Sequence, residues 1–169
     1  VTHLSGIATL TRKYRDAVKP YGTVILATRK TTPGLRVLEK YAIRMGGGEA
    51  HRMGLYDEVL VKENHLQLRQ TTSDKRQETI KEFVEEIRRR VPKGMKIVVE
   101  AQSFREARML LGAPIDKILL DNLSPKTLRR VVRLRNQNGR RPRLQASGGI
   151  TLDTIRSVAR TGVEEISVG

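Results

Sequence analysis

Cysteine and tryptophan are both absent from the 169-residue chain. Without cysteine there can be no disulfide, no thiol catalysis and no cysteine-ligated metal. The chain is therefore compatible with a reducing cytoplasm, and a cytoplasmic protein is expected. Aromatic residues amount to 4%, so platforms on which nucleic-acid bases could stack are scarce. Acidic residues are in deficit, 18 Asp and Glu against 33 Lys and Arg, for a formal net charge of +15. No apolar run approaches the roughly 18 residues of a membrane-spanning helix, so no membrane partner is expected. Hydrophobic residues make up 38% and mean hydropathy is −0.43, a balance suited to one soluble domain with a sizeable core over residues 1–169. The chain opens at Val1 in a helical pattern and is expected to be a segment of a longer protein.

The positive charge raises nucleic-acid binding as one function class. Its distribution argues against that class. Arg88, Arg89 and Arg90 close a helical pattern, where cations suit the negative end of the helix dipole. Arg129, Arg130, Arg133 and Arg135 interleave with Leu128, Val131, Val132 and Leu134, as on the solvated face of an amphipathic helix.

Strand and helix patterns alternate strictly along the chain. Helical spacing covers residues 4–18, 34–45, 74–91, 103–111, 124–136 and 151–161. Short apolar runs with strand character lie at 23–28, 58–62, 95–100, 115–121, 143–147 and 165–168. Ser103 is a candidate helix cap, and Pro125 occupies the favoured first helical position. Gly46-Gly47-Gly48 reads as a helix stop. Strands separated by helices, without hairpin signals, predict a parallel sheet covered by helices. The expected fold is α/β, an incomplete TIM-like (β/α) barrel of about six parallel strands.

Chemistry gathers where these strands end. Arg29 and Lys30 follow the first, Lys62 ends the second, Glu100 the third and Asp121 the fourth. Ser147-Gly148-Gly149 follows the fifth and Gly169 the sixth. Barrel enzymes assemble their sites on this rim, from side chains of different strands. A carboxylate closing Ile97-Val98-Val99-Glu100 or Ile118-Leu119-Leu120-Asp121 is costly to bury unpaired, so a role at the rim explains it better than packing. Ser147-Gly148-Gly149-Ile150-Thr151 ahead of a helix suits a phosphate, because glycines let backbone amides approach an anion. His51 and His65 are possible metal ligands without clustered spacing, and His3 carries no assigned role.

The segments Thr28-Arg29-Lys30-Thr31-Thr32-Pro33-Gly34-Leu35-Arg36, His51-Arg52-Met53-Gly54-Leu55-Tyr56-Asp57 and Lys62-Glu63-Asn64-His65 together resemble the barrel domain of quinolinate phosphoribosyltransferases. Glu100, Leu120-Asp121-Asn122, Ser147-Gly148-Gly149 and Ser167-Val168-Gly169 follow in the expected order, so the resemblance spans almost the whole chain. It implies transfer of phosphoribosyl from phosphoribosyl pyrophosphate to quinolinate with decarboxylation, giving nicotinate mononucleotide, pyrophosphate and CO2. It also implies substrate-binding roles for Arg29, His51, Arg52 and Lys62 at quinolinate, and for Ser147, Gly148, Gly149 and Gly169 at the 5-phosphate. Lys30, Lys62, Glu100 and Asp121 are implied as catalytic. Lys30 and Lys62 would reach both substrates. Glu100 and Asp121 would face the ribose hydroxyls and share Mg2+. A homodimer or higher homo-oligomer is implied as well, with an arginine supplied by the neighbour.

Ala27 stands where the family usually has Asp, Ala50 where it often has Asn, and Val98 and Gln145 where glutamates are expected. Val98 and Gln145 each lie two residues before a site residue, hence on the same strand face, and both replacements remove negative charge from the barrel interior. Two other readings stay open. One is a related phosphoribosyltransferase acting on another pyridine-like acid. The other is a basic nucleic-acid-binding or scaffold domain, which would need neither Glu100 nor Asp121.

Overall fold

The computed structural model describes residues 2–62, 80–139 and 141–169. Helix α1, Thr2–Val18, buries Thr11, Tyr14 and Val18, a spacing of three and four residues that lines one helical face. A 3-10 turn over Lys19–Tyr21 leads to β1, Val24–Ala27. Then follow α2 (Arg36–Met45), β2 (Glu58–Val61), α3 (Ile80–Arg90), β3 (Lys96–Ala101), α4 (Phe104–Leu110), β4 (Lys117–Asp121), α5 (Pro125–Gln137), β5 (Arg143–Ser147), α6 (Ile155–Ala159) and β6 (Glu165–Val168). The six strands form one sheet in the order β1-β6-β5-β4-β3-β2, and every pairing is parallel. The sheet curls into an incomplete barrel with the helices outside. Beyond β1 a single parallel bridge joins Leu26 to Glu49.

Alternation along each strand separates two environments. Ile97, Val99, Ala101, Ile118, Leu120, Leu144, Ala146 and Ile166 belong to the main core with Val84 of α3, Ala107 and Leu110 of α4, Leu128 and Val131 of α5, and Ile155 and Val158 of α6. The intervening residues face the concave side: Glu58, Val98, Glu100, Lys117, Gln145, Glu165 and Ser167, all buried, with Asp121 and Ser147 at the ends of their strands. One face of the sheet is thus a hydrocarbon core and the other is lined by charge and hydrogen-bonding groups.

The expected strand and helix order holds throughout the described residues, with four corrections. The helix expected at 151–161 is confined to Ile155–Ala159, because 151–154 forms a turn in which the Thr151 amide donates to Thr154 Oγ1 at 2.9 Å. Arg135 does not lie on a solvated face. It is 3% exposed and paired with Glu164, whose other oxygen accepts from the Leu144 amide at 3.0 Å. Nor is Arg88 merely a dipole complement: its guanidinium bonds the Met95 carbonyl at 2.7 Å and Asp116 Oδ2 at 2.6 Å. His3 has a partner, Glu39 Oε1 at 2.9 Å, which ties α1 to α2. The expected helix over 74–91 is described only as Ile80–Arg90, and 74–79 lie outside the described residues.

Candidate active site

The loop after β1 is built by backbone turns and held from behind by α2. Thr31 N donates to Arg29 O at 3.0 Å, and Leu35 N to Thr32 O at 3.0 Å. Arg36, in the first turn of α2, donates to Thr31 Oγ1 at 3.2 Å, Met53 O at 3.3 Å and Arg29 O at 3.5 Å. Glu39 Oε2 accepts from Thr32 N at 3.2 Å. The bond to Thr32 and that to His3 hold the Glu39 carboxyl below its ordinary value. Arg29 carries a buried Nε without a partner among the described residues. Lys30 reaches the end of β6, where a methyl group placed on Gly169 would lie 3.7 Å from its Nζ.

Three glycines end α2 and turn the chain back towards β1. Gly46 and Gly48 pass so close to α1 that an added Cβ would meet Thr11 at 2.6 and 2.9 Å respectively. The chain then bridges to β1 at Glu49 and reaches His51, whose φ of 46° is left-handed. His51 Nε2 lies 3.1 Å from Glu58 Oε1 and 3.4 Å from Lys117 Nζ. Arg52 donates to the Glu58 carbonyl at 3.2 Å, and its Nε is 3.9 Å from Glu58 Oε1. Burial by itself would raise the Glu58 carboxyl. The His51 hydrogen bond, with Lys117 and Arg52 nearby, outweighs it and holds the carboxyl below its ordinary value. Burial also lowers the Arg52 pKa.

At the ends of β2 and β3, Lys62 Nζ stands 3.7 Å from Glu100 Oε2, while Glu100 Oε1 accepts from Gln102 Nε2 at 3.2 Å. On the neighbouring strand Asp121 Oδ2 accepts from Asn122 Nδ2 at 2.9 Å, and Asn122 N donates to Ser147 O at 2.9 Å. Asp121 and Ser147 face each other in register. Gly148 follows with φ 91°, and a Cβ there would fall 2.1 Å from Asn122 Oδ1. Only glycine fits both the backbone angle and the approach. Beneath Ser147-Gly148-Gly149, on the helix side, lies a cavity of about 200 Å3 lined by Leu123, Ala146, Thr154 and Val158.

The structure therefore joins Lys62 to Glu100, Lys30 to the end at Gly169, Asp121 to the Ser147 loop, and His51 to Arg52 around Glu58. Among the described residues Glu100 and Asp121 have no shared partner. Because α6 starts at Ile155 and is five residues long, the Ser147-Gly148-Gly149 loop does not feed directly into a helix as expected. Any anion there would meet loop amides rather than a helix N-terminus. Glu63, Asn64 and His65 lie outside the described residues.

Three inner-face residues were not singled out from the sequence. Glu58, Lys117 and Glu165 each precede a singled-out residue (Lys62, Asp121, Gly169) by four positions, so a strict period of two would have found them. They come from β2, β4 and β6, alternate strands that in a barrel contribute to one interior layer. Lys117 pairs with Glu165, and Arg143 NH2 reaches Glu165 Oε1 at 3.2 Å. Gln145 is the register partner of Glu165, so the negative charge missing at Gln145 stands one strand away.

Residues 7–169 match the family model described as the quinolinate phosphoribosyl transferase C-terminal domain. The chain belongs to this family. Over 167 residues it is 42% identical to the probable nicotinate-nucleotide pyrophosphorylase [carboxylating] of a Synechocystis strain, covering 99% of this chain and 54% of that protein. The corresponding Bacillus subtilis protein, also named as probable, is 39% identical over 169 residues, 100% of this chain and 55% of its own length. A crystal structure of nicotinate-nucleotide pyrophosphorylase from Ehrlichia chaffeensis superposes with a TM-score of 0.85 at 36% identity, covering 99% of this chain and 57% of that one. The chain spans about half the length of the curated relatives it matches.

Proposed function

We propose that this domain carries the catalytic rim of a quinolinate phosphoribosyltransferase, a pentosyltransferase of NAD biosynthesis. It would join quinolinate to the phosphoribosyl group of phosphoribosyl pyrophosphate and release pyrophosphate and CO2. The observation that carries the proposal is the sorting of charge along the rim. Basic side chains (Arg29, Lys30, His51, Arg52) gather around β1 and the 49–57 segment, while carboxylates (Glu100, Asp121) and the Ser147-Gly148-Gly149 loop close β3 to β5. A dicarboxylate suits the first group, because an arginine fork binds a planar carboxylate in bidentate fashion. A ribose 5-phosphate suits the second. As the pyridine nitrogen attacks the anomeric carbon and pyrophosphate leaves, the sugar becomes cationic, and Glu100 and Asp121 would stabilise it. Lys30 and Lys62 would face the growing charge on pyrophosphate, and a cation beside C2 would stabilise the carbanion left as CO2 departs, which takes up a proton to give nicotinate mononucleotide.

Two carboxylates on adjacent strands, with no group of three or more acidic, His or Cys ligands among the described residues, fit Mg2+ held partly by the substrate's own phosphates, its common mode. Glu100 and Asp121 would hold it there, and its chemistry would be to neutralise charge on the departing pyrophosphate. No helix among the described residues is long and apolar enough to cross a membrane, and we assign the enzyme to the cytoplasm. We also propose a homodimer or higher homo-oligomer, with the neighbour supplying an arginine to the site.

Titration calorimetry with quinolinate, nicotinate and phosphoribosyl pyrophosphate, with and without Mg2+, tests the proposal. Quinolinate is expected to bind more tightly than nicotinate, because each charged hydrogen bond lost with the monoacid costs roughly 1.5–3 kcal/mol. Equal affinities for the two acids would overturn the assignment to quinolinate. Preference for a different pyridine acid would select the sibling activity instead.

A further inference from the structure

Lys40 is one of the most deeply buried side chains in the protein, 1% exposed, and it lies one helical turn after Arg36 in α2. Its ammonium group makes no ion pair with a carboxylate among the described residues. It donates instead to two backbone carbonyls, those of Ala50 and Arg52. These are the carbonyls of the residues before and after His51, which is held at φ 46°. Burial lowers the Lys40 pKa, and the positive charges of Arg36, Arg29 and Arg52 add to that, with Asp57 opposing. Burying an ammonium among three guanidiniums is unfavourable, and a hydrocarbon side chain would fill the same space without that cost. A merely structural tie between helix and loop does not need a charge.

We propose that Lys40 is the positioning residue of the dicarboxylate end of the site, rotating His51 and Arg52 into place by pinning the carbonyls that flank His51. The inference rests on the functional reading above. The pin has the chemistry of a bound cation. Two carbonyls two residues apart converge on one ammonium, and the residue between them takes a left-handed conformation that a non-glycine residue keeps only when its surroundings enforce it. Arg36 performs the matching task one turn earlier, tying Arg29 O to Met53 O. One face of α2 thus holds both loops that carry cations for the acid substrate. The positive charge of Arg29, Arg36, Lys40 and Arg52, offset in part by Glu58 and Asp57, is also what an incoming dianion would neutralise, so holding the loop and attracting the substrate are served by the same group.

Replacing Lys40 with methionine in the intact protein keeps the stem and removes the pin. Steady-state kinetics should show KM for quinolinate raised by about 10- to 100-fold, the range set by losing one charged hydrogen bond. KM for phosphoribosyl pyrophosphate should change by less than about threefold, because Glu100, Asp121 and the Ser147 loop sit on other elements. A purely structural role would lower the active fraction and leave both KM values unmoved. Equal changes in the two KM values would overturn the proposal. Amide hydrogen exchange without substrate provides a readout independent of the reaction. Exchange at residues 51–53 should quicken at least about tenfold in Lys40→Met while the β3 to β6 strands keep their protection, and unchanged exchange there would overturn the pin. Should Lys40→Met not fold, Lys40→Arg retains charge and donors but not length, and must raise KM for quinolinate selectively. Failure of both variants to fold would make Lys40 structural and overturn the inference. If the unaltered protein shows no quinolinate turnover, the functional reading fails, while exchange at 51–53 still decides the pin.

Discussion

Glu58 shows what single residues contribute at this site. Its carboxylate, in a residue 5% exposed, is the common partner of His51 and Arg52, so two of the proposed quinolinate ligands are pre-oriented by one acid. Arg52 uses separate nitrogens for the Glu58 carbonyl and for its carboxylate side, which the single ammonium of lysine cannot reproduce. Arg52→Lys is therefore expected to weaken quinolinate binding by more than the retained charge would indicate, and calorimetry giving an unchanged affinity would remove Arg52 from the site. Glu100→Gln and Asp121→Asn should fold normally by circular dichroism and lose turnover by about 10²- to 10³-fold, the usual effect of removing one group that stabilises transition-state charge. Full activity in either variant would dismiss its role at the ribose. Gly148→Ala should destabilise the protein by about 1–3 kcal/mol, since it combines an unfavourable backbone angle with a collision against Asn122. A urea midpoint equal to that of the unaltered protein would show that the two strand ends can separate freely.

Among the elements, α4 depends most visibly on its cap. It has seven residues, too few to be stable from propensity. Ser103 Oγ accepts from the Glu106 amide at 3.2 Å and donates to Glu106 Oε1 at 2.7 Å, while Glu106 Oε2 accepts from the Gln102 amide at 2.8 Å. This is a capping box displaced by one residue at its acidic arm. Ser103→Ala should cost about 1 kcal/mol, visible as a lowered melting temperature, with KM for both substrates unchanged because α4 packs on the core face. A shift in either KM would mean that the cap also sets the position of Glu100, three residues upstream.

At the scale of the whole molecule, stability should depend on pH through carboxylates distributed over several elements. Glu39 on α2, Glu58 on β2 and Asp116 ahead of β4 all have pKa values lowered from ordinary values of 4.5, 4.5 and 3.8. Desolvation opposes the lowering at Asp116, and the Arg88 hydrogen bond with the Ile97 amide overcomes it. A depressed folded-state pKa stabilises the fold above the unfolded value, and that stabilisation is lost as pH falls through the folded value. The midpoint of chemical denaturation should be flat from neutrality to about pH 5 and fall below about pH 4. Asp116→Asn should lower the plateau and shrink the acid-side drop. An identical drop in that variant would place the acid sensitivity elsewhere. Since the chain already carries +15, each carboxylate protonated also adds to self-repulsion.

Local pattern was enough to read the alternation of elements, the parallel sheet and the line of chemistry at the strand ends. Period two, period 3.6, the cap at Ser103 and the first helical position of Pro125 are encoded within a few neighbouring residues. Family-like segments singled out Arg29, Lys30, Lys62, Glu100, Asp121 and the Ser147 loop as candidates. Pairings across the chain were not legible. Lys40 finding the carbonyls of Ala50 and Arg52, Glu58 joining His51 to Arg52, Lys117 meeting Glu165, and Arg135 turning inward to Glu164 all require the sheet to curl and α2 to dock. Backbone carbonyls carry no identity in a sequence, and a charged residue on a helical pattern reads the same whether it meets water or a buried partner. Packing decides that, because a buried charge is retained only where partners from distant segments converge on it.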